Sequence, residues 1–118
     1  MRSLIIIGSL LLVALGTTGA RAHAFLDHAS PLVGSTVPAA PHELTLSFTQ
    51  NLEAAFSTVE VFDANGSRVD QGKASINGNT MRVALKPLPA GTYRVQWHAL
   101  SVDTHTTQGS FTFHVGSH

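Results

Sequence analysis

The chain has 118 residues, with seven basic and seven acidic side chains, seven histidines and no cysteine. The absence of cysteine excludes a disulfide-stapled scaffold, a thiolate metal site and a cysteine nucleophile. The lack of excess positive charge argues against nucleic acid or an anionic membrane surface as the partner, since both require a basic patch.

Residues 1–22 have the three parts of a secretory signal peptide. Arg2 supplies the positive charge, residues 4–15 form the apolar run LIIIGSLLLVAL, and Ala20-Arg21-Ala22 fits an A-x-A cleavage site. A retained membrane anchor is the alternative, but this run is shorter than the roughly 20 residues that span a bilayer core. We therefore expect an exported protein whose single mature domain, residues 23–118, begins at His23 and has no stable membrane insertion.

The first half of the mature domain has the pattern of short strands separated by turns. Apolar and polar residues alternate in ELTLSFTQ (residues 43–50), and TVEVF follows at residues 58–62. Asn77-Gly78-Asn79 predicts a hairpin turn between KASI and TMRVAL. The only weakly helical stretch is residues 51–55, which predicts one turn. Prolines 31, 38 and 41 indicate irregular or edge structure near the mature N-terminus.

The second half continues the alternation in GTYRVQWHAL (residues 91–100) and GSFTFHV (residues 109–115), with KPLPAG as a loop before them. Alternating aromatic residues in strands are usually core, so we assign Trp97, Phe111 and Phe113 to the interior. About seven short strands in 96 residues predict an all-β fold, a Greek-key antiparallel β-sandwich or barrel of the immunoglobulin-like or cupredoxin-like class. Periodicity does not give the strand order.

His23 acquires a special chemistry if it becomes the first residue of the mature chain. Its free α-amine and its imidazole Nδ1 would then close a six-membered chelate ring on one metal ion. The α-amine has a pKa of about 7.7–8.0, so a metal ion displaces its proton easily near neutral pH. A histidine could also follow the cleavage site by chance, so this feature alone is only suggestive.

Asp103 and His105 form a second candidate metal-binding element, Asp103-Thr104-His105. On an extended chain, side chains two residues apart point to the same face, with Cα atoms about 6–7 Å apart, which one metal ion can bridge. An ordinary polar loop would have the same composition. Together with His23, the pair supplies three nitrogens and one oxygen, which suit a tetragonal Cu(II) site, although Zn(II) accepts the same atoms tetrahedrally.

Four segments resemble the CopC family of bacterial copper-resistance proteins: HAFLDHASP at the mature start, ELTLSF, GTYRVQW and SVDTHTTQGSFTFHV. They extend over nearly the whole mature domain. The resemblance implies that one Cu(II) ion per chain binds to His23, Asp103 and His105. It further implies a periplasmic, monomeric protein of copper resistance or homeostasis, with a possible inner-membrane copper transporter of the CopD type as partner. The methionine-rich loop of some members is missing, because the mature domain contains only Met81, so a Cu(I) site is not expected.

Three functions are compatible with these features. The first, which we favour, is a non-catalytic carrier or sequestering protein for Cu(II). The second is a histidine-brace copper oxidase similar to lytic polysaccharide monooxygenases; an anionic Asp103 ligand and the small number of aromatic residues argue against it. The third is a metal-free adhesion or chaperone-like sandwich, which the fold alone permits.

The other histidines are not expected to be ligands. His28 lies five residues from the mature N-terminus and is a candidate for supporting the site, although an exposed strand position also explains it. The rest are assigned to the surface or the terminus: His42, His98, His114 and His118.

Overall fold

The structure is a computed structural model that describes residues 25–116 as two packed four-stranded sheets. In spatial order, the first sheet contains β1 (Leu26–Ser30), β3 (Glu43–Phe48), β6 (Thr80–Leu85) and β5 (Asp70–Asn77). The second sheet contains β2 (Thr36–Val37), β8 (Thr106–Val115), β7 (Gly91–Leu100) and β4 (Thr58–Phe62). The predicted signal peptide, residues 1–22, lies outside the described residues, as do His23 and His118.

The strand order is that of a Greek-key sandwich. Among the strands of residues 25–116, two consecutive pairs, β5–β6 and β7–β8, form hairpins. Each of the remaining connections crosses from one sheet to the other. The predicted all-β sandwich is therefore confirmed. The described range contains eight strands instead of about seven, because β2 has only two residues and no alternation to detect. Its pairing with β8 is parallel, unlike that of the other strand pairs of this range.

The core lies between the two sheets and contains the residues that alternation predicted. Trp97 meets the ring of Phe48 edge-on across the sandwich at a centroid distance of 5.1 Å, and Tyr93 stacks on Phe113 at 5.5 Å. Met81 is fully buried on β6, as expected for a core methionine. Each large side chain of this kind contributes roughly 1.5–3 kcal/mol when it is fully buried, so the two inner faces supply most of the stabilisation.

Helical structure within residues 25–116 is limited to one 3-10 turn, Ala54–Phe56. The sequence predicted a turn slightly earlier, over residues 51–55. Leu52 instead has its side chain in the core and forms an isolated antiparallel bridge with Ser101. Across the described range there is no helix with the length and hydropathy needed to cross a membrane.

Gly109 lies where the backbone of β8 passes against the indole of Trp97. The two residues are direct partners in the β7–β8 ladder. A Cβ atom at position 109 would lie 2.7 Å from Cζ2 of Trp97, closer than packed atoms allow. Because Trp97 is almost completely buried, it cannot move aside without disturbing the core.

We expect Gly109→Ala to lower the free energy of unfolding by about 1–3 kcal/mol, the usual cost of overpacking a core. Chemical denaturation measures this. Gly91→Ala is the matched control, since it lies in the same hairpin and a Cβ there would meet nothing closer than 3.9 Å. Equal stability losses in the two variants would contradict the expectation.

Candidate metal centre

Asp103 and His105 lie in the turn that joins β7 to β8. β7 ends at Leu100 and β8 begins at Thr106, and these two residues pair with each other, so residues 101–105 close the hairpin. Oδ1 of Asp103 is 3.3 Å from Nδ1 of His105, and both side chains are about half exposed, at 46% and 47%. The structure therefore brings the two predicted ligands together at an accessible end of the sandwich.

The two side chains approach each other differently from the way the sequence predicted. The segment is not extended as expected, because residues 102 and 103 form a turn, but the two side chains still lie together. The amide of Thr104 donates to the carbonyl of Ser101 at 2.8 Å, and Thr104 has a φ of +72°. A left-handed residue between the two candidate ligands reverses the chain locally.

Ser101 forms hydrogen bonds to both candidate ligands from the buried side of the turn. It is completely buried, its hydroxyl donates to Oδ1 of Asp103, and its amide donates to the carbonyl of His105 at 3.0 Å. The hydrogen bond from Ser101 lowers the pKa of Asp103; slight desolvation opposes the shift, and the hydrogen bond and charge of His105 add to it. The carboxylate of Asp103 is thus negatively charged at neutral pH, which suits metal binding.

A short segment, residues 49–52, connects the start of β1 to residues 101–105, which we call the ligand turn because it carries the two predicted ligands. Phe25 and Thr49 are held by two hydrogen bonds of 2.9 Å, one from the Phe25 amide to the Thr49 hydroxyl and one from the Thr49 amide to the Phe25 carbonyl. The amide of Val102 donates to the carbonyl of Asn51 at 3.0 Å. The sequence analysis missed this connection, because no motif marks a bond between residues so far apart in the chain.

The spacing of the Asp103 and His105 donor atoms suits a shared metal ion. Ligand atoms about 2 Å from a metal are about 2.8 Å apart at neighbouring corners of a square and about 3.3 Å apart in a tetrahedron. The observed 3.3 Å therefore fits either geometry with little adjustment. Within residues 25–116, no group of three or more histidine, aspartate, glutamate or cysteine side chains is placed to hold a metal ion. A metal site at this pair would therefore need further ligands from outside residues 25–116.

The remaining histidines of the described range are peripheral to this turn. His28 lies on β1 with its Nδ1 3.3 Å from Oδ2 of Asp27, and both side chains are mostly exposed. His42 and His98 are exposed, as predicted, and Nδ1 of His114 is 3.0 Å from the hydroxyl of Thr92. Within residues 25–116, His28 forms no hydrogen bond or ion pair with the ligand turn, so the structure does not support a role for His28 at the site.

Comparison with known proteins gives consistent matches. The family model for the CopC domain matches residues 26–116. Copper resistance protein C of Pseudomonas syringae pv. tomato is 37% identical over 105 residues, which cover 81% of this chain and 82% of that protein. The crystal structure of CopC from Methylosinus trichosporium OB3b has a TM-score of 0.71 and 31% identity, covering 81% of this chain and 96% of that one. The structure of PcoC, a methionine-rich copper resistance protein from Escherichia coli, has a TM-score of 0.69 and 36% identity, covering 79% of this chain and 98% of that one.

Thr104 provides a test of the turn conformation. A β-branched residue at positive φ is strained, and such strain costs of the order of 1–3 kcal/mol. Asparagine adopts this region more readily, so we expect Thr104→Asn to raise the free energy of unfolding by about 1 kcal/mol in urea denaturation. Thr106→Asn in β8 is the control and should not stabilise, since asparagine disfavours strands. A less stable Thr104→Asn variant would show that the hydrogen bond from the Thr104 hydroxyl to the Asp103 carbonyl outweighs the strain.

Proposed function

This chain belongs to the CopC family, and from that membership we propose that it is a periplasmic Cu(II)-binding protein of copper resistance or homeostasis. The observation that carries the proposal is the Asp103–His105 pair, whose donor atoms lie 3.3 Å apart at the exposed end of the β7–β8 hairpin. The proposed activity is to hold and hand over Cu(II), not to catalyse a reaction on it. A CopD-type inner-membrane transporter is the proposed partner.

His23 is the proposed source of the missing ligands. Cleavage after Ala22 would leave the domain 23–118 and convert the backbone nitrogen of His23 from an amide into an amine. The described chain begins at Phe25, which is hydrogen-bonded to Thr49 in the segment that also holds Val102. Two residues of chain span up to about 7 Å, and we propose that they carry the amine and imidazole of His23 from this anchored position toward the ligand turn.

The donor set favours Cu(II) over the alternatives. An amine, two imidazoles and one carboxylate match the tetragonal preference of Cu(II), which also heads the affinity order of the divalent ions. Cu(I) prefers thioether and thiolate ligands. The chain has no cysteine and two methionines, of which Met1 lies in the predicted leader and Met81 is fully buried. We therefore propose one Cu(II) ion per chain and no Cu(I) site.

The half-exposed position of the pair suits a carrier. A cargo ion must be reached by the partner that delivers or receives it, and both proposed side-chain ligands are accessible from solvent. An oxidase of the histidine-brace type would need an open coordination position for oxygen, which the carboxylate of Asp103 would occupy.

Given a reductant, the copper-loaded protein should therefore consume no more oxygen than free copper; faster consumption would favour the oxidase.

The N-terminus of the exported protein tests the role of His23. Mass spectrometry should find a chain that begins at His23. Adding one glycine before His23 should weaken Cu(II) binding by at least about 100-fold, beyond the 10–100-fold loss typical of a residue that only supports a ligand. Circular dichroism should show an unchanged β-fold. A different mature start, or full affinity in the extended protein, would contradict the chelate.

Asp103→Ala and His105→Ala should each strongly reduce Cu(II) affinity in the correctly processed protein. Fluorescence titration measures this, because Trp97 is the only tryptophan and bound Cu(II) quenches nearby indole emission. Asp27→Ala and His28→Ala are matched controls, since that pair has the same residue types and the same 3.3 Å separation. Similar losses in both pairs, or binding well below one ion per chain in the unmodified protein, would contradict the proposed site.

A further inference from the structure

We propose that Ser101 is a positioning residue of the copper site, whose buried hydroxyl orients the Asp103 carboxylate for metal binding. The inference rests on the proposed function, because it assigns a role relative to a proposed ligand. It concerns a residue that the sequence analysis did not select and that is not one of the proposed ligands.

The burial of Ser101 is the first observation behind this inference. The inward-facing positions of β7 are apolar from Tyr93 to Ala99, and Ser101 continues the same alternation with no exposed surface. A buried hydroxyl costs free energy unless it is hydrogen-bonded. Alanine would fit this position without that cost, so packing alone does not account for serine.

The contacts of Ser101 are the second observation. Its hydroxyl donates to Oδ1 of Asp103 and lies 3.3 Å from both the amide and the carbonyl oxygen of His105. Its amide donates to the same carbonyl of His105 at 3.0 Å. One buried residue therefore restrains the side chain of one proposed ligand and the backbone of the other.

The physical consequence is preorganisation. The carboxylate of a half-exposed aspartate otherwise rotates freely, and fixing a side chain on binding costs conformational entropy. The hydrogen bond from Ser101 removes much of this cost before the metal arrives. It also leaves Oδ1 and the ring of His105 close together, which is the arrangement that a shared ion requires.

Ser57 provides a matched comparison within the same molecule. Its side chain is also buried, and its hydroxyl lies at the same end of the sandwich. Its partners are backbone atoms, since it accepts from the amide of Leu100 at 3.0 Å and lies 3.5 Å from the Leu100 carbonyl. Removing this hydroxyl changes packing and stability without touching a proposed ligand.

The test compares Ser101→Ala with Ser57→Ala in the processed protein. We expect Ser101→Ala to weaken Cu(II) binding by about 10-fold, at the lower end of the effect of removing a residue that orients a metal ligand. The visible absorption and electron paramagnetic resonance spectra of bound Cu(II) should shift as well. Ser57→Ala should lower thermal stability and leave both affinity and spectra unchanged. Ser101→Thr, which keeps the hydroxyl, should show the same absorption and electron paramagnetic resonance spectra as the parent protein.

A double-mutant cycle separates positioning from general stabilisation. If Ser101 acts through Asp103, the effect of Ser101→Ala on affinity should nearly vanish in an Asp103→Ala background. The role of Ser101 would be overturned by an equal loss of Cu(II) affinity in both backgrounds, by no loss of affinity in the parent background, or by a Ser101→Ala variant that does not fold. In each case, a strong loss of affinity in Asp103→Ala alone would still support the copper site. Unchanged Cu(II) affinity in both Asp103→Ala and His105→Ala would instead overturn the proposed function.

Discussion

The register between β7 and β8 fixes both the composition of the core and the position of the proposed metal site. Ten residue pairs run without interruption from Gly91 opposite Val115 to Leu100 opposite Thr106. Because side chains alternate along a strand, this one register decides which aromatic residues enter the core. It also sets the length of the connecting turn and therefore the place where Asp103 and His105 meet. A shift of one residue would turn the inward-facing side chains of one strand outward, and it would separate the ligand turn from the residues that hydrogen-bond to it.

The proposed metal site combines parts of both sheets. The ligand turn closes a hairpin of the second sheet, whereas the start of β1 belongs to the first. Residues 49–52 connect them, with hydrogen bonds to Phe25 on one side and to Val102 on the other. Just beneath, Phe48 and Trp97 pack against each other across the sandwich. The core thus holds together the same end of the two sheets that the copper proposal requires.

Exposure and burial are divided between the proposed ligands and their support. Asp103 and His105 are about half exposed, while Ser101 directly beneath them has no exposed surface. A site that exchanges its cargo needs accessible ligands, but accessible side chains are mobile unless something buried fixes them. The strained backbone of Thr104 fits the same division, since a left-handed residue is kept in place by the bonds that Ser101 makes around it.

Local sequence patterns were enough to predict the all-β class, the core residues of β7 and β8, the hairpin at Gly78 and the choice of Asp103 and His105 as a pair. Each of these depends on neighbours within a few residues, where alternation and turn chemistry act directly. The sequence also led to His23 as a ligand, which stays a prediction because that residue lies outside the described range. The folded structure was needed to establish the strand order, the parallel pairing of β2, the left-handed turn at Thr104 and the position of Ser101 beneath both proposed ligands. These depend on contacts between segments that are distant in the chain or on a backbone conformation that their residue types do not favour, and no local pattern encodes either.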